Sequence, residues 1–305
     1  MTLDVVLIGQ AVFAERVLRG LMARGDAVLA VYCPPDGGAR PDPLKQLALE
    51  SGIPCRQPPS YKPDAVRAEI AALKPDLLIL AYVTKIVPLA VLTVPCHGSI
   101  CFHPSLLPRH RGGSAINWAL IHGDPETGIS VFWPDAGIDT GPVLLQRKIP
   151  IDPDDSTGSL YYGRILPAGV DLVLESVALI EAGRAPRVTQ DECLATYEPL
   201  CRDEHAALDW NQPAATVHDL IRGCDPQPGA HTPAGPSRLR LHESRRASGD
   251  AAPGTILTLG GGEMVVAAGN GAVRLGKARV EGSREKRPAA EAAASLGLSV
   301  GDRLG

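Results

Sequence analysis

Residues 98–118 read G-S-I-C-F-H-P-S-L-L-P-R-H-R-G-G-S-A-I-N-W, in order an apolar run, a polar stretch with two prolines, a pair of glycines and a helix-forming stretch. The apolar run that ends at Phe102 predicts a buried strand, and two prolines restrict the polar loop that follows it. A pair of glycines then lets the backbone turn into a predicted helix, which begins with Ser114 as its N-cap and ends at His122. The stretch therefore predicts a strand, a loop and a helix, the repeating unit of an α/β sheet.

The first two hundred residues repeat this alternation of strand and helix patterns. Further strands are predicted at Leu3–Ile8, Ala27–Tyr32, from Ile53, and at Asp76–Ala81, Ile129–Trp133 and Val143–Ile149. Helices are predicted up to about Arg24, and at Leu44–Glu50, Asp64–Leu73 and Thr157–Ala182. Strands that alternate with helices predict an α/β fold with a doubly wound sheet, parallel through most of its strands.

The last hundred residues follow a different pattern. From Gly254 onward, short strand patterns separated by Gly and Asn-Gly turns predict a small β-barrel. We place the domain boundary near residue 205, which gives one domain over residues 1–205 and a second over residues 206–305. The segment from Arg187 to His205, just before this boundary, is interpreted as an extended linker.

Composition excludes several classes of protein. The 305 residues carry a net charge of −4, so no overall basic surface for nucleic acid is expected. No apolar run reaches the roughly 18 residues of a membrane span, and the first residues lack the basic start of a signal peptide. We therefore expect a cytoplasmic protein with no membrane partner. Seven scattered cysteines without a C-x-x-C pair predict neither a disulfide framework nor a zinc site.

The candidate chemistry lies where the predicted strands end, because ligands of doubly wound sheets bind beyond the carboxyl ends of the strands. His103 directly follows a predicted strand and precedes a proline, which places an imidazole on a stiff turn. Asp135 and Asp139 lie in a glycine-containing turn after another strand. If Asp139 meets His103 across the sheet edge, the carboxylate can orient the ring and the pair can perform acid–base chemistry.

Three segments together resemble a known family. They are F-H-P-S-L-L-P-R-H-R-G-G-S-A-I-N-W from Phe102, I-H-G-D-P-E-T-G-I-S-V-F from Ile121, and D-A-G-I-D-T-G-P-V-L-L-Q from Asp135. They resemble the folate-dependent formyltransferases, in particular the methionyl-tRNA formyltransferase group and the hydrolase domain of 10-formyltetrahydrofolate dehydrogenase. The resemblance is clear up to about Thr232 and weaker beyond it. It implies a Rossmann-like domain that binds 10-formyltetrahydrofolate, followed by a small OB-like β-barrel domain.

The resemblance also implies roles for individual residues. His103 and Asp139 match the catalytic histidine and aspartate of the family. The pocket for the formyl donor, 10-formyltetrahydrofolate, matches two segments, and no metal is expected. These segments comprise Tyr82, Val83, Thr84, Lys85, Ile86 and Val87 on one side and Asp135, Ala136, Gly137 and Ile138 on the other.

One position departs from the family pattern. Most formyltransferases of this type have an asparagine two residues before the histidine, where this chain has Cys101. Because a thiol is a poor hydrogen-bond donor, His103 would do more of the work of stabilising a developing formyl oxyanion. Three interpretations of Cys101 are a packing residue, a weak polar group and a nucleophile that forms a formyl thioester. The candidate acceptor site comprises Cys101, Ser105, His110, Arg111, Asn117 and Trp118.

The acceptor of the formyl group is left open, as is the oligomeric state. The favoured partner is a small molecule with an amine or hydroxylamine nitrogen, such as N-hydroxyornithine in siderophore assembly or an amino sugar. Water is the first alternative, which would make the protein a 10-formyltetrahydrofolate hydrolase. Methionyl-tRNA is the second alternative, and a folate-binding protein without catalysis is the third. We consider tRNA unfavourable because residues 206–305 contain 12 Lys/Arg against 10 Asp/Glu, a net charge of only +2.

Overall fold

The computed structural model describes residues 2–38 and 40–305. Up to Glu181 the elements are β1 (Asp4–Gly9), α1 (Ala11–Arg24), β2 (Ala27–Tyr32), α2 (Pro43–Glu50), β3 (Cys55–Arg56), α3 (Asp64–Leu73), β4 (Leu77–Ala81), α4 (Leu89–Leu92), β5 (Ser99–His103), β6 (Arg111–Gly112), α5 (Ala115–Ile121), β7 (Glu126–Phe132), β8 (Val143–Pro150), α6 (Thr157–Leu160), a π-helical turn (Tyr161–Ile165) and α7 (Leu166–Glu181).

The remaining elements are mostly strands. They are a 3₁₀ turn (Glu192–Leu194), β9 (Tyr197–Glu198), a second 3₁₀ turn (Asp203–His205), α8 (Ala214–Gly223), β10 (Ala230–Ala234), β11 (Ser237–Ala247), β12 (Ile256–Gly260), β13 (Glu263–Ala267), β14 (Ala272–Val280), β15 (Arg287–Pro288) and α9 (Ala289–Ser295).

The chain forms two compact units. The first unit comprises the chain up to Arg111, together with Gly128–Ile149 and Arg164–Tyr197. The second comprises Gly112–Thr127, Pro150–Gly163 and Glu198–Gly305. The units therefore alternate along the chain, and the predicted domain boundary near residue 205 stays a prediction.

The first unit is built around a seven-stranded sheet in the order β3-β2-β1-β4-β5-β7-β8. The first five strands in this order, β3, β2, β1, β4 and β5, are parallel, and β7 pairs antiparallel with β5. All five residues of β4, L-L-I-L-A, are buried, because a central parallel strand is covered on both faces. The predicted doubly wound α/β sheet is confirmed.

The turn from β1 into α1 requires a glycine. A Cβ at Gly9 would lie 2.4 Å from the carbonyl oxygen of Ala81 and 2.6 Å from the Cβ of Ala14. Asp42 supports the same turn, since its carboxylate accepts hydrogen bonds from the backbone N–H groups of Ala11 and Leu44. The second of these bonds caps α2. The ends of β1 and β4 are thereby held close together at the carboxyl edge of the sheet.

The second unit contains an antiparallel sheet, with strands in the order β10-β11-β14-β13-β12 and β15 beside β14. Apolar side chains of these strands pack with those of α8 and α9 in one core, which includes Trp210, Val217, Leu241, Val266 and Leu275. The prediction of a small β domain after the α/β domain is confirmed, in the form of this antiparallel sheet, and its description as an OB-like barrel stays a prediction.

One predicted helix has the wrong extent, and one predicted N-cap is confirmed in position but not in its hydrogen bond. The helix predicted over Thr157–Ala182 is divided by the π-helical turn, and Pro167 lies in the first turn of the new helix α7, where a missing N–H costs no hydrogen bond. Ser114 occupies the N-cap position of α5, but it has φ +61° and its side chain makes no cap bond. Its hydroxyl instead accepts a hydrogen bond from the backbone N–H of Cys201 at 3.0 Å.

Among the described residues, no helix combines the length and apolar character that crossing a membrane requires. The predicted cytoplasmic location stays a prediction.

Candidate active site

His103 is the last residue of β5, and its imidazole is buried with 6% of the residue exposed. Its Nε2 lies 2.8 Å from the carbonyl oxygen of His110. Because a carbonyl oxygen can only accept a hydrogen bond, Nε2 must carry the ring hydrogen. The other nitrogen, Nδ1, lies 3.6 Å from Oδ2 of Asp139. The backbone thus fixes one side of the ring and leaves Nδ1 facing a carboxylate.

Asp139 lies in a tight turn between β7 and β8. The N–H of Trp133 donates to the carbonyl of Pro142 at 2.9 Å and closes the turn. Within it, Asp135 Oδ1 accepts hydrogen bonds from the N–H of Gly137 at 3.0 Å and the hydroxyl of Thr140 at 2.6 Å. Asp139 itself has φ +56°, a left-handed conformation that aspartate adopts more readily than most residues.

Gly141 makes this turn possible. A Cβ there would lie 1.8 Å from the carbonyl oxygen of Trp133, a distance that no side chain can occupy. The end of β5 and the turn after β7, which are distant in sequence, therefore bring His103 and Asp139 together. The acid–base chemistry expected from the sequence depended on this meeting. The Asp139 side chain is 19% exposed and that of His103 is 7% exposed, so a proton held between them is only partly accessible to water.

Cys101 lies on the same strand, two residues before His103. Burial raises the pKa of its thiol well above the usual range, and the negative charge of Asp139 raises it further. The thiol packs against the cluster formed by Leu107, Phe132 and Val143. A thiol that stays protonated is a poor nucleophile, so these surroundings favour the interpretation of Cys101 as a packing residue over that of a thioester-forming one.

The loop after β5 is held by hydrogen bonds that are buried or partly buried. The Ser105 hydroxyl donates to the carbonyl of Arg109 at 2.6 Å, and its own carbonyl accepts from the hydroxyl of Ser130 at 2.6 Å. Gln146 donates to the carbonyl of Leu107 at 2.7 Å. The Ser105 side chain thus shapes the loop that carries His110, while its predicted contact with the acceptor stays a prediction.

Arg111 is fully buried, and its guanidinium is held by other side chains of the first unit. It donates to Oε1 of Gln190 at 2.8 and 3.1 Å, to the carboxylate of Glu192 at 2.6 and 2.9 Å, and to the hydroxyl of Tyr197 at 2.5 Å. Just before it, the N–H of His110 donates to the Thr196 hydroxyl at 2.7 Å. These contacts give Arg111 a structural role, and the acceptor contacts predicted for His110 and Arg111 stay predictions.

The two other predicted acceptor residues belong to the second unit. Asn117 donates to the carbonyls of Gly223 and Gln227 at 2.7 and 3.1 Å. The indole N–H of Trp118 donates to the carbonyl of Pro199 at 2.7 Å. Both polar groups therefore stabilise the second unit itself, and their predicted role in acceptor binding stays a prediction.

A pocket lies at the carboxyl ends of the parallel strands in the first unit. Four of the six predicted donor-pocket residues after β4, namely Tyr82, Val83, Thr84 and Lys85, line it. Of the other two, Ile86 is 74% exposed and Val87 is buried in the core. On the second predicted wall, the four residues Asp135, Ala136, Gly137 and Ile138 are exposed.

The sequence interpretation missed part of this pocket. Its other lining residues are Ile8, Gly9, Gln10, Pro34 and Tyr61. The first three end or follow β1, and Pro34 follows β2, so the rule that ligands bind beyond strand ends could have identified them. Tyr61 lies in a loop after β3, and no sequence signal indicated it.

The fold and the site together define a class of protein. A mostly parallel sheet has a pocket at its carboxyl edge, and a buried imidazole at the end of β5 faces a carboxylate. This is the arrangement of an α/β enzyme that uses acid–base chemistry.

Comparison with known families is more specific. Residues 4–177 match the family described as "Formyl transferase", and residues 201–294 match "Formyl transferase, C-terminal domain". The chain belongs to the formyl transferase family and is an enzyme of that family. The resemblance to formyltransferases and the predicted Rossmann-like fold are confirmed.

Two curated relatives illustrate the family. The chain is 37% identical to a "Methionyl-tRNA formyltransferase" of Trichlorobacter lovleyi, over 98% of this chain and 96% of that protein. It is 40% identical to a "Cytosolic 10-formyltetrahydrofolate dehydrogenase" of Xenopus tropicalis over 82% of this chain. That match covers only 28% of the dehydrogenase, so this chain corresponds to a little over a quarter of that protein.

Two solved structures share the fold. HypX from Aquifex aeolicus in complex with tetrahydrofolic acid has a TM-score of 0.72 and 21% identity, and the match covers 98% of this chain and 48% of HypX. An N-formyltransferase from Helicobacter canadensis, in complex with folinic acid and dTDP-3-aminofucose, has a TM-score of 0.70 and 17% identity. That match covers 90% of this chain and 98% of the other. At these identities the likeness is one of fold.

Proposed function

We propose that the protein transfers a formyl group from 10-formyltetrahydrofolate to an amine or hydroxylamine nitrogen of a small molecule. The observation that carries this proposal is the pairing of His103 Nδ1 with Asp139 Oδ2 at 3.6 Å, in a chain that belongs to the formyl transferase family. Tyr82, Val83, Thr84 and Lys85, which line the strand-end pocket, would contact the donor.

The chemistry follows from the two side chains. The acceptor nitrogen attacks the formyl carbon, and a tetrahedral oxyanion forms. Asp139 takes the proton released by the attacking nitrogen. His103 acts as an imidazolium, with Nε2–H bound to the His110 carbonyl, so its second N–H, at Nδ1, stabilises the oxyanion. The bond from the formyl carbon to the folate nitrogen then breaks, and that nitrogen receives the proton. The products are a formamide or formyl-hydroxamate and tetrahydrofolate, so atoms and charge balance.

The ion pairs of the second unit support a small acceptor over a nucleic acid. Binding to the phosphates of a nucleic acid requires Lys and Arg side chains that are available to displace the counterions on its backbone. Many basic side chains of this unit lie within ion-pairing distance of a carboxylate. These are Arg238 and Arg240 with Asp203 and Glu281, Arg245 with Asp154, Arg274 with Glu263, Lys277 with Glu243, Lys286 with Asp225, and Arg287 with Glu285.

Two alternatives each have an observation in their favour. Methionyl-tRNA as the acceptor is favoured by a relative that matches over nearly the full length of both chains. Water as the acceptor is favoured by the similarity to 10-formyltetrahydrofolate dehydrogenase and by Cys101, which replaces the amide donor expected two residues before His103.

One assay separates these possibilities. The purified protein is incubated with 10-formyltetrahydrofolate, and tetrahydrofolate and formate are measured without an acceptor and with N-hydroxyornithine, nucleotide-linked amino sugars or methionyl-tRNA. Tetrahydrofolate that forms only with a small amine or hydroxylamine supports the proposal. Formate released without an acceptor would favour the hydrolase, and turnover only with methionyl-tRNA would favour the tRNA enzyme.

A further inference from the structure

Residues 186–197 contact both halves of the candidate site, and all but the first of them lie in the segment interpreted from sequence as a linker. We call these residues the brace segment. At its start, the carbonyl of Pro186 accepts a hydrogen bond from the indole N–H of Trp133, and Val188 pairs with Val143 after the Asp139 turn. Near its end, Thr196 accepts the hydrogen bond from the N–H of His110, whose carbonyl holds the His103 ring.

Gln190 lies in the middle of the brace segment and is 7% exposed. Its Nε2 donates to the carbonyl of Asp139 at 2.8 Å and to the carbonyl of Gly141 at 2.7 Å. Its Oε1 accepts two hydrogen bonds from Arg111. Both hydrogens and both lone pairs of the amide are therefore in use, and only one orientation of the amide can face two carbonyls and a guanidinium.

Arg111 explains why that orientation is stable. Its five N–H groups are shared among Gln190, Glu192 and Tyr197, so the guanidinium cannot turn without breaking several buried hydrogen bonds. The Gln190 oxygen is thus held toward Arg111, which directs both amide hydrogens at the turn.

We propose that Gln190 is a positioning residue for Asp139. It holds the carbonyls on either side of Thr140, fixes the left-handed backbone of Asp139 at φ +56°, and thereby sets the carboxylate against His103. This proposal rests on the proposed function, because it assigns Gln190 an effect on rate only through the proton that Asp139 takes up.

Gln190→Glu is the sharpest perturbation. The carboxylate has the shape of the amide and keeps the contact with Arg111, but it presents an oxygen to the carbonyls of Asp139 and Gly141. Two donated hydrogen bonds become two repulsive contacts, and the turn must move. A displacement of about 1 Å at a reacting group costs about 10²-fold in rate.

The experiment measures kcat, KM for 10-formyltetrahydrofolate and melting temperature for the wild type, Gln190→Glu and Val177→Ala. Val177 is buried in α7, and its truncation gives a matched loss of stability without touching the turn. We expect Gln190→Glu to lower kcat by about 10²-fold with KM changed by less than about threefold, and Val177→Ala to leave kcat unchanged at a similar loss of melting temperature.

A double-mutant cycle separates positioning from general destabilisation. In an Asp139→Asn background, Gln190→Glu should lower kcat by less than about threefold, because the group that it positions is already absent. A wild-type kcat for Gln190→Glu, or the same 10²-fold loss in both backgrounds, would overturn the proposal. Absence of turnover in the wild type with every acceptor would instead refute the proposed function, so the two failures are distinguishable.

Discussion

Asp139→Asn is the substitution that most sharply tests the acid–base pair. Asparagine has the size of aspartate and tolerates the left-handed backbone at this position, so the turn and its hydrogen bonds to Gln190 should remain. What is lost is one negative charge 3.6 Å from His103 Nδ1 and the ability to take up a proton.

The magnitude follows from that distance. When His103 is an imidazolium and Asp139 a carboxylate, the two unit charges lie 3.6 Å apart and interact by about 5 kcal/mol at an effective dielectric constant of about 20. Removal of a general acid or base typically costs about 10²–10⁴-fold in rate, or about 3–5 kcal/mol. The two values agree in size, so we expect kcat to fall about 10³-fold.

The assay follows tetrahydrofolate release at saturating 10-formyltetrahydrofolate and the productive acceptor, with the dissociation constant of tetrahydrofolate measured in parallel. We expect that constant to change by less than about threefold, because the carboxylate acts on the reacting atoms and not on the donor as a whole. A kcat within about fivefold of the wild type would show that the carboxylate has no role in proton transfer.

Three further predictions concern single groups. Burial alone would raise the pKa of Asp225, but the His242 imidazole, the backbone N–H of Glu243 and the charge of Lys286 lower it from 3.8 to about 2. The ionised carboxylate therefore adds about 2 kcal/mol to the free energy of unfolding above pH 4, and this contribution is lost as the pH falls toward 2. Urea unfolding should therefore show Asp225→Asn less stable than the wild type at pH 6, with the gap closing near pH 2. Gly141→Ala should lower kcat at least about tenfold, because its Cβ would collide with the Trp133 carbonyl. Gly163→Ala is the control and should keep the wild-type kcat, since a Cβ there meets nothing within 4 Å. Equal kcat values for the two variants would contradict the steric explanation. A hydrogen bond from Cys33 lowers the pKa of the Cys55 thiol to about 7. The rate of Cys55 alkylation should therefore be half-maximal near pH 7, and this midpoint should move to higher pH in Cys33→Ala. An unchanged midpoint would contradict the assignment of the shift to Cys33.

Elements with a strong local signal could be predicted from sequence. Helix α3 begins and ends at the predicted residues Asp64 and Leu73, and β4 differs by a single residue from the predicted strand. In both, the order of apolar residues along a few turns or pleats decides which face is buried, and that information lies within the segment itself. The rule that ligands bind beyond strand ends also indicated His103 and the turn that holds Asp139.

The parts that escaped prediction depend on contacts between distant residues. Gln190 bonds to groups 49, 51 and 79 residues away, and nothing in its neighbourhood marks it. Ser114 has the residue type of an N-cap, but its hydroxyl bonds to the backbone 87 residues away instead. Local propensity is a weak guide where a tertiary hydrogen bond competes for the same polar group.

His103 stabilises the oxyanion as the formyl group passes from the bound folate to the acceptor, so its removal should stop transfer without removing the folate. The most direct measurement is a single-turnover reaction with formyl-labelled 10-formyltetrahydrofolate and the productive acceptor, comparing wild-type protein with His103→Ala. We expect the wild type to move the label from the folate to the acceptor within one turnover. We expect His103→Ala to bind the folate with similar affinity but to leave the label on it. Equal transfer by both proteins would exclude a catalytic role for His103, and no folate binding by the wild type would exclude a folate as the donor.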